Sequence, residues 1–237
     1  MKIKLLNLNI WNYNKWEERK PKIVSFIKKE RPDIITLQEV RDDIQFNKKG
    51  DNQAKQLKRE LDYFYYAFSP ITDKRKERSE QYKRFCIEGM AVLSKYQIVY
   101  SKGVKLKKHP NDRYTCGFLH VKLKIDNKKI DLLNVHFSNN EYFSLLHIFE
   151  TLKYIKKRRI SPVIVGDFNF YEYEILNDLV EKNFLSSMKY KKYISYPLNK
   201  WTLDYILIPK NYKFKSLKCT GRGLSDHMTI ISDIEEK

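Results

Sequence analysis

The sequence predicts an α/β (α+β) fold built on sizeable mixed β-sheets. Three observations predict it. Apolar runs of strand length outnumber amphipathic helical stretches. Strands and helices alternate irregularly rather than in a strict βαβ rhythm. The run "PVIV" at 162–165 is apolar throughout, as strands buried on both faces are. A chain of 237 residues buries a real core without staples. No Pro/Gly/Ser-rich linker or internal repeat divides it, so one domain over 1–237 is expected.

Each element follows from local pattern. Residues 2–9 alternate well enough for a strand. "WEERKPKIVSFIKKE" sets Trp16, Ile23, Phe26 and Ile27 on one helical face, and Pro21 predicts a helix start near residue 20. "RPDIITLQEV" reads as a turn and a short buried strand. "GDNQAKQLKREL" reads as a helix capped by Asp51. "YFYYAF" and "FCIEGMAVLS" read as strands, separated by a charged loop at 69–84. Residues 113–125 and 129–136 read as a hairpin turning at "DNKK". "EYFSLLHIFETLKYIKKRR" is amphipathic, with its basic end where the helix dipole favours cations. A strand at 162–166, a helix near 171–182 and strands at 203–208 and 228–234 complete the chain.

The balance of 47 Lys+Arg against 29 Asp+Glu leaves +18, which favours polyanionic partners such as nucleic acid, anionic membrane surfaces or polyphosphorylated substrates. The chain is also rich in Lys, Asn, Ile and Tyr, and such a general bias produces basic charge with no partner behind it. Cys86, Cys116 and Cys219 are odd in number and far apart. They read as neither a disulfide framework nor a zinc site, and fit a reducing, cytoplasmic compartment. Asn7 and Asn9 interrupt the first apolar run, so no signal segment is expected, and no run approaches spanning length. No obligate protein partner is evident.

Polar groups recur at the ends of apolar runs: Asn9, Glu39, His136, Asp167 and Asn169, Asp204, then Asp226 and His227. A carboxylate in an apolar strand is costly unless it is paired or metal-bound. Alone, "GDFN" also reads as a turn, since Gly, Asp and Asn are turn formers. Together the set has the chemistry of metal-assisted phosphoryl transfer. Glu39 with a nearby Asp or Asn supplies hard oxygens suited to Mg²⁺, with Mn²⁺ as a substitute. A second Asp can activate water, and a His–Asp pair can hold a protonated imidazole against phosphate.

The order "LNLNIW", "LQEV", "EGMAVLSKYQI", "NVHF", "VIVGDFN", "LDYIL", "SDH" spans nearly the whole chain. It resembles the endonuclease/exonuclease/phosphatase superfamily, the pancreatic-deoxyribonuclease-like fold. The resemblance implies a four-layer sandwich: two packed mixed β-sheets flanked by helices, with the active site at one end. It also implies roles. Asn9, Glu39 and Asp226 match metal-site positions, with Glu39 the principal ligand. Asp167 matches the water-activating residue and Asn169 the phosphate-binding amide. Asp204 matches the carboxylate that orients His227, and His136 matches a general acid or phosphate ligand. Whether Asp167 or a His–Asp pair is the base stays open. Glu88 is a candidate support for His136, and equally an ordinary surface glutamate.

"QEVR" and "NVHF" depart from the apurinic-endonuclease pattern and place the chain in the histidine-bearing branch. "GDFN" rather than a "GDTN"-like form speaks against tyrosyl-DNA phosphodiesterases. The expected activity is a Mg²⁺-dependent phosphodiesterase on nucleic acid. Lys74, Arg75, Lys76 and Arg78 are candidate backbone contacts, Arg113 a phosphate clamp and Trp201 a base-stacking ring. Each has a plainer reading, as solvated loop, surface arginine and core tryptophan. The alternative activity is on an inositol phosphate or phospholipid head group. A non-catalytic binding protein fits poorly with an intact catalytic set.

Overall fold

The computed structural model describes residues 1–74, 84–112 and 114–237. In chain order the elements begin with β1 (Lys2–Asn9), α1 (Trp16–Glu30), β2 (Ile34–Asp43), α2 (Gln53–Glu60), β3 (Tyr65–Asp73), β4 (Cys86–Ser94) and β5 (Gln97–Lys105). There follow β6 (Gly117–Ile125), β7 (Lys128–His136), α3 (Glu141–Arg158), β8 (Val163–Asp167), α4 (Tyr173–Val180) and β9 (Phe184–Ser186). The last are α5 (Ser187–Tyr190), β10 (Asp204–Pro209), β11 (Tyr212–Thr220) and β12 (Thr229–Glu236).

One six-stranded sheet runs β11-β12-β1-β2-β4-β3 and the other β5-β6-β7-β8-β10-β9. Both are mixed: β1–β2 and β7–β8 are parallel, and the other pairs antiparallel. The period of two sorts each strand's apolar residues between two faces. Leu5, Val92, Val121 and Val165 meet between the sheets. Leu6 and Leu8 face the other way, onto Ile23 and Ile27 of α1 and Leu57 of α2. Val135 and Ile164 pack on Ile148 of α3 and Val180 of α4. The layers are therefore helix, sheet, sheet, helix. Each such side chain, fully buried, contributes roughly 1.5–3 kcal/mol.

Local boundaries differ from expectation where tertiary contacts outweigh local signals. Helix α1 starts at Trp16 and contains Pro21. Pro21 is exposed, so the carbonyl it leaves without a helical donor faces solvent, while buried Trp16 and Arg19 anchor the turn before it. Asn52, not Asp51, caps α2, accepting from the Lys55 N–H at 3.1 Å. Asp51 instead pairs with Arg59. Strand β2 continues four residues past Glu39, and β3 takes the first five residues of the expected 69–84 loop. Strands β5, β9 and β11 and the short α5 are additional to the sequence expectation.

Register sets the site. His136 pairs with Asp167, and Asp167 with Asp204, so three polar residues form one row across β7, β8 and β10. Gly166 allows β7 to come that close. Its φ is +144°, and a Cβ there would lie 2.1 Å from the Val135 carbonyl oxygen. Gly166→Ala should cost about 3 kcal/mol, combining backbone strain with that overlap. Urea unfolding checks it; an unchanged midpoint would refute the close approach.

Candidate active site

The ends of β1, β7 and β8 and the starts of β10 and β12 meet at one end of the sandwich, around a cleft of about 440 Å³. Glu39, His136, Asp167, Asn169, Asp226, His227 and Trp201 line it. Residues distant in sequence are thus brought together by strand order alone.

Asp167 is the centre. It is 1% exposed, and its Oδ1 accepts from the Asn169 N–H at 2.9 Å. Its Oδ2 accepts from Asn9 Nδ2 at 3.0 Å and lies 3.7 Å from both His136 Nε2 and His227 Nε2. Strand β8 ends at Asp167, so Asn169 is not its next same-face strand neighbour. Asn169 is left-handed, at φ +49°, and its Nδ2 donates to the Phe137 carbonyl. The turn reading of "GDFN" describes the local geometry, and the turn sets Asn169 at the cleft.

Asp204 is fully buried. Its Oδ2 accepts from His227 Nδ1 at 2.8 Å, and its Oδ1 accepts from Asn7 Nδ2 at 3.2 Å. Asn7 Oδ1 in turn accepts from Thr36 and Gln38, and Gln38 donates to Asn134. This buried network ties the two sheets beneath the catalytic row. Asn7 and Asn134 are amides in apolar strands, and that was their sequence signal.

Burial opposes charge on His227, but Asp204 and Asp167 outweigh it and push the imidazolium up to about 10. Burial, with Asp204 adding to it, raises Asp167 to about 6 against the pull of the histidines. A base must be ionised and the imidazolium protonated. The profile of kcat/KM against pH should therefore fall below about 6 and above about 10, as a property of the coupled pair. A flat profile from pH 5 to 8 would contradict these roles.

Glu39 sits in a bulge where β2 slips register against β4 between Leu37 and Val40, with φ +54°. A bulge re-aims a side chain, and here it turns Glu39 into the cleft. Its two oxygens accept from Asn9 Nδ2 at 3.1 Å and Asn12 Nδ2 at 3.0 Å. Asp226 is close. Burial raises its pKa, with Glu39 raising it further against the opposing pull of His227. Neither carboxylate is in an ion pair among the described residues. Two hard carboxylates lining one cleft, with no paired cation among the described residues, fit a divalent ion. Asp167, Asp204 and His227 also converge within 4.8 Å. There His227 Nδ1 is already bound to Asp204, and the two acids favour the protonated ring over the neutral one that a metal needs. Asn9 points its amide nitrogen at Glu39 and Asp167, and its oxygen accepts from the Trp11 N–H. In this conformation it bridges the carboxylates.

Other expected residues are placed differently. Glu88 does not reach His136. It pairs with Arg41 at 2.6 Å and Lys74 at 2.8 Å in the cleft wall. Burial opposes its charge, and the two cations hold it well below the usual carboxylate range. Lys74 is therefore buried and committed, lying 4.1 Å from the Tyr114 ring, and is no exposed backbone contact. Arg75, Lys76, Arg78 and Arg113 lie outside the described residues. Trp201 is 40% exposed at the lip and stacks on Tyr171 at 4.9 Å. Asn12 and Tyr196, whose ring lies 4.9 Å from His227, carried no sequence signal.

The class is a metal-dependent hydrolase of phosphoric esters, and a family match carries it. The sequence profile of the endonuclease/exonuclease/phosphatase family matches residues 6–227, and the chain belongs to that family. No curated protein matches it in sequence. Several solved structures share its fold. An endonuclease/exonuclease/phosphatase from Beutenbergia cavernae has TM-score 0.79 and 14% identity, covering 99% of this chain and 72% of its own. The human Nocturnin catalytic domain with bound sulfate has TM-score 0.73 and 20% identity, covering 100% and 95%. A mannosyl-6-phosphatase from Bacteroides thetaiotaomicron has TM-score 0.69 and 17% identity, covering 98% of each chain. Among the described residues no helix is long and apolar enough to cross a membrane.

Proposed function

We propose that the protein is a Mg²⁺-dependent phosphodiesterase of nucleic acid, with the cleft holding one nucleotide at the scissile phosphate. The observation that carries this reading is the exposed Trp201–Tyr171 stack at the lip of the catalytic cleft, on a chain of net charge +18. An aromatic face accepts any base, and the general positive charge holds the strand beyond the cleft.

A divalent cation held by Glu39 and Asp226 would neutralise charge on the phosphoryl oxygens. Asp167 accepts the proton of the attacking water through a carboxylate oxygen. Its raised pKa suits a base working near neutrality, whereas His227, protonated and locked by Asp204, is unavailable as one. The His227 imidazolium faces the developing phosphoryl charge, and the Asn169 amide orients the phosphate. His136, half-exposed at the cleft, supplies a proton or hydrogen bond to the leaving oxygen.

A second reading, a small phosphate ester such as an inositol phosphate, draws on the modest cleft volume. It also draws on the commitment to Glu88 of Arg41 and Lys74, two cations among the described residues of the cleft wall. The salt dependence of kcat/KM separates the two. On single-stranded or duplex oligonucleotides it should fall steeply with salt, because several phosphates release counterions. Turnover of inositol phosphate with no cleavage of any oligonucleotide would overturn the nucleic-acid reading.

A further inference from the structure

A second cluster lies on the cleft wall beyond the catalytic row. We propose that Asp112, Cys116 and His147 form a separate metal site for a borderline-soft divalent cation, Zn²⁺ being the type. One ligand atom from each lies within 4.8 Å of the others. Asp112 and Cys116 come from the segment before β6, and His147 from the second turn of α3.

Asp112 is 6% exposed. Its Oδ1 accepts from Ser138 Oγ at 2.8 Å, while its Oδ2 has no hydrogen-bond partner among the described residues. A buried carboxylate oxygen left so is costly unless something cationic meets it. His147 is fully buried, and its tautomer is forced. The Ser138 backbone N–H can only donate, so Nδ1, 3.3 Å away, carries the lone pair. Nε2 then carries the proton and donates to the Lys107 carbonyl at 3.3 Å. A ligating histidine is usually held in this way, one nitrogen fixed by a carbonyl and the other presented. A metal at Nδ1 would displace the Ser138 N–H, whose contact at 3.3 Å is as long as the Lys107 contact that would remain.

Thiolate, carboxylate and neutral imidazole sum to two negative charges, which a divalent cation balances. Sulfur and imidazole ligands favour Zn²⁺ and disfavour Mg²⁺. The binding step is a substitution: the Cys116 thiol loses its proton to solvent as the metal–sulfur bond forms. Three protein ligands leave the fourth position of a tetrahedral site to solvent. Asp112, Cys116 and Ser138 all line the cleft, so the metal would pin the cleft wall to α3.

The test uses Co²⁺ as a probe, titrated into the full chain after chelator treatment. The wild type should show a thiolate-to-metal charge-transfer band with visible bands of tetrahedral intensity. Cys116→Ser should lose the charge-transfer band. Asp112→Asn, which keeps shape and removes charge, should weaken binding by about tenfold or more. Glu39→Gln should leave the band unchanged, which separates this site from the catalytic one. Zn²⁺ should raise Tm in the wild type and not in Cys116→Ser. No charge-transfer band in the wild type, the same band in Cys116→Ser, or its loss in Glu39→Gln would each overturn the proposal.

Discussion

Asp167→Asn should fold like the wild type and lose about 10²–10⁴-fold in kcat, the range expected for a positioned general base. The replacement keeps the shape and the oxygen that accepts from the Asn169 N–H. It removes the proton acceptor. It also sets an NH₂ group against Asn9 Nδ2, 3.0 Å away, and against two imidazole nitrogens at 3.7 Å. The loss should appear equally in kcat and kcat/KM, because the interaction is made in the transition state. The acid limb of the pH profile should vanish from whatever activity remains. Steady-state kinetics over pH, beside circular dichroism to confirm the fold, checks this. Full turnover in a folded Asp167→Asn would remove the residue from the chemistry.

Glu39→Gln should lose activity by about two orders of magnitude or more at a Mg²⁺ concentration that saturates the wild type, and its Mg²⁺ midpoint should move upward. The reasoning rests on geometry. Glu39 is turned into the cleft by a left-handed bulge residue and braced by two asparagine amides, opposite Asp226. Strain of this kind persists where the surrounding structure over-determines it. In chelator the change in stability should be small, because relief of the repulsion with Asp226 is offset by setting the new NH₂ against one of the two asparagine amides. A metal titration of rate, with thermal melts in chelator, reads both effects. Wild-type Mg²⁺ dependence in the variant would place the metal elsewhere.

The site was legible in the sequence where a polar residue broke an apolar run. Asp204 inside "LDYILI", Asp167 at the end of "PVIVGD" and His136 at the end of "IDLLNVH" stand out because burying them needs a reason. The structure brings them into one row. What the sequence hid was set by pairing. The bulge at Glu39 depends on how β2 meets β4, and nothing local marks it. Glu88 looked available for His136, but Arg41 and Lys74 reach it across the cleft wall.

The fold shows the same division. Strands buried on both faces, such as β1 and β8, read directly from hydrophobicity. Strand β5 lies at a sheet edge and is mostly exposed, so "QIVYSKGVK" carries little apolar signal. Strand β11, also at an edge, alternates Tyr212 and Phe214 with lysines until a bulge breaks the pattern before Ser216. The start of α1 was displaced by reading Pro21 as a first-turn residue. Buried Arg19 decides the matter instead, donating to the Ile10, Trp11, Asn12, Asn14 and Leu224 carbonyls and so holding the turn that presents Asn12 to Glu39.

Asp167, His227 and Glu39 meet in one cleft, and the proposed function requires them to act there together with a divalent cation. The most direct measurement is the initial rate of oligonucleotide cleavage by chelator-treated protein as Mg²⁺ is added back. The expected result is no cleavage in chelator and a saturable recovery that Glu39→Gln and Asp167→Asn each abolish. Cleavage that continues undiminished in excess chelator, or recovery that both variants share with the wild type, would contradict it.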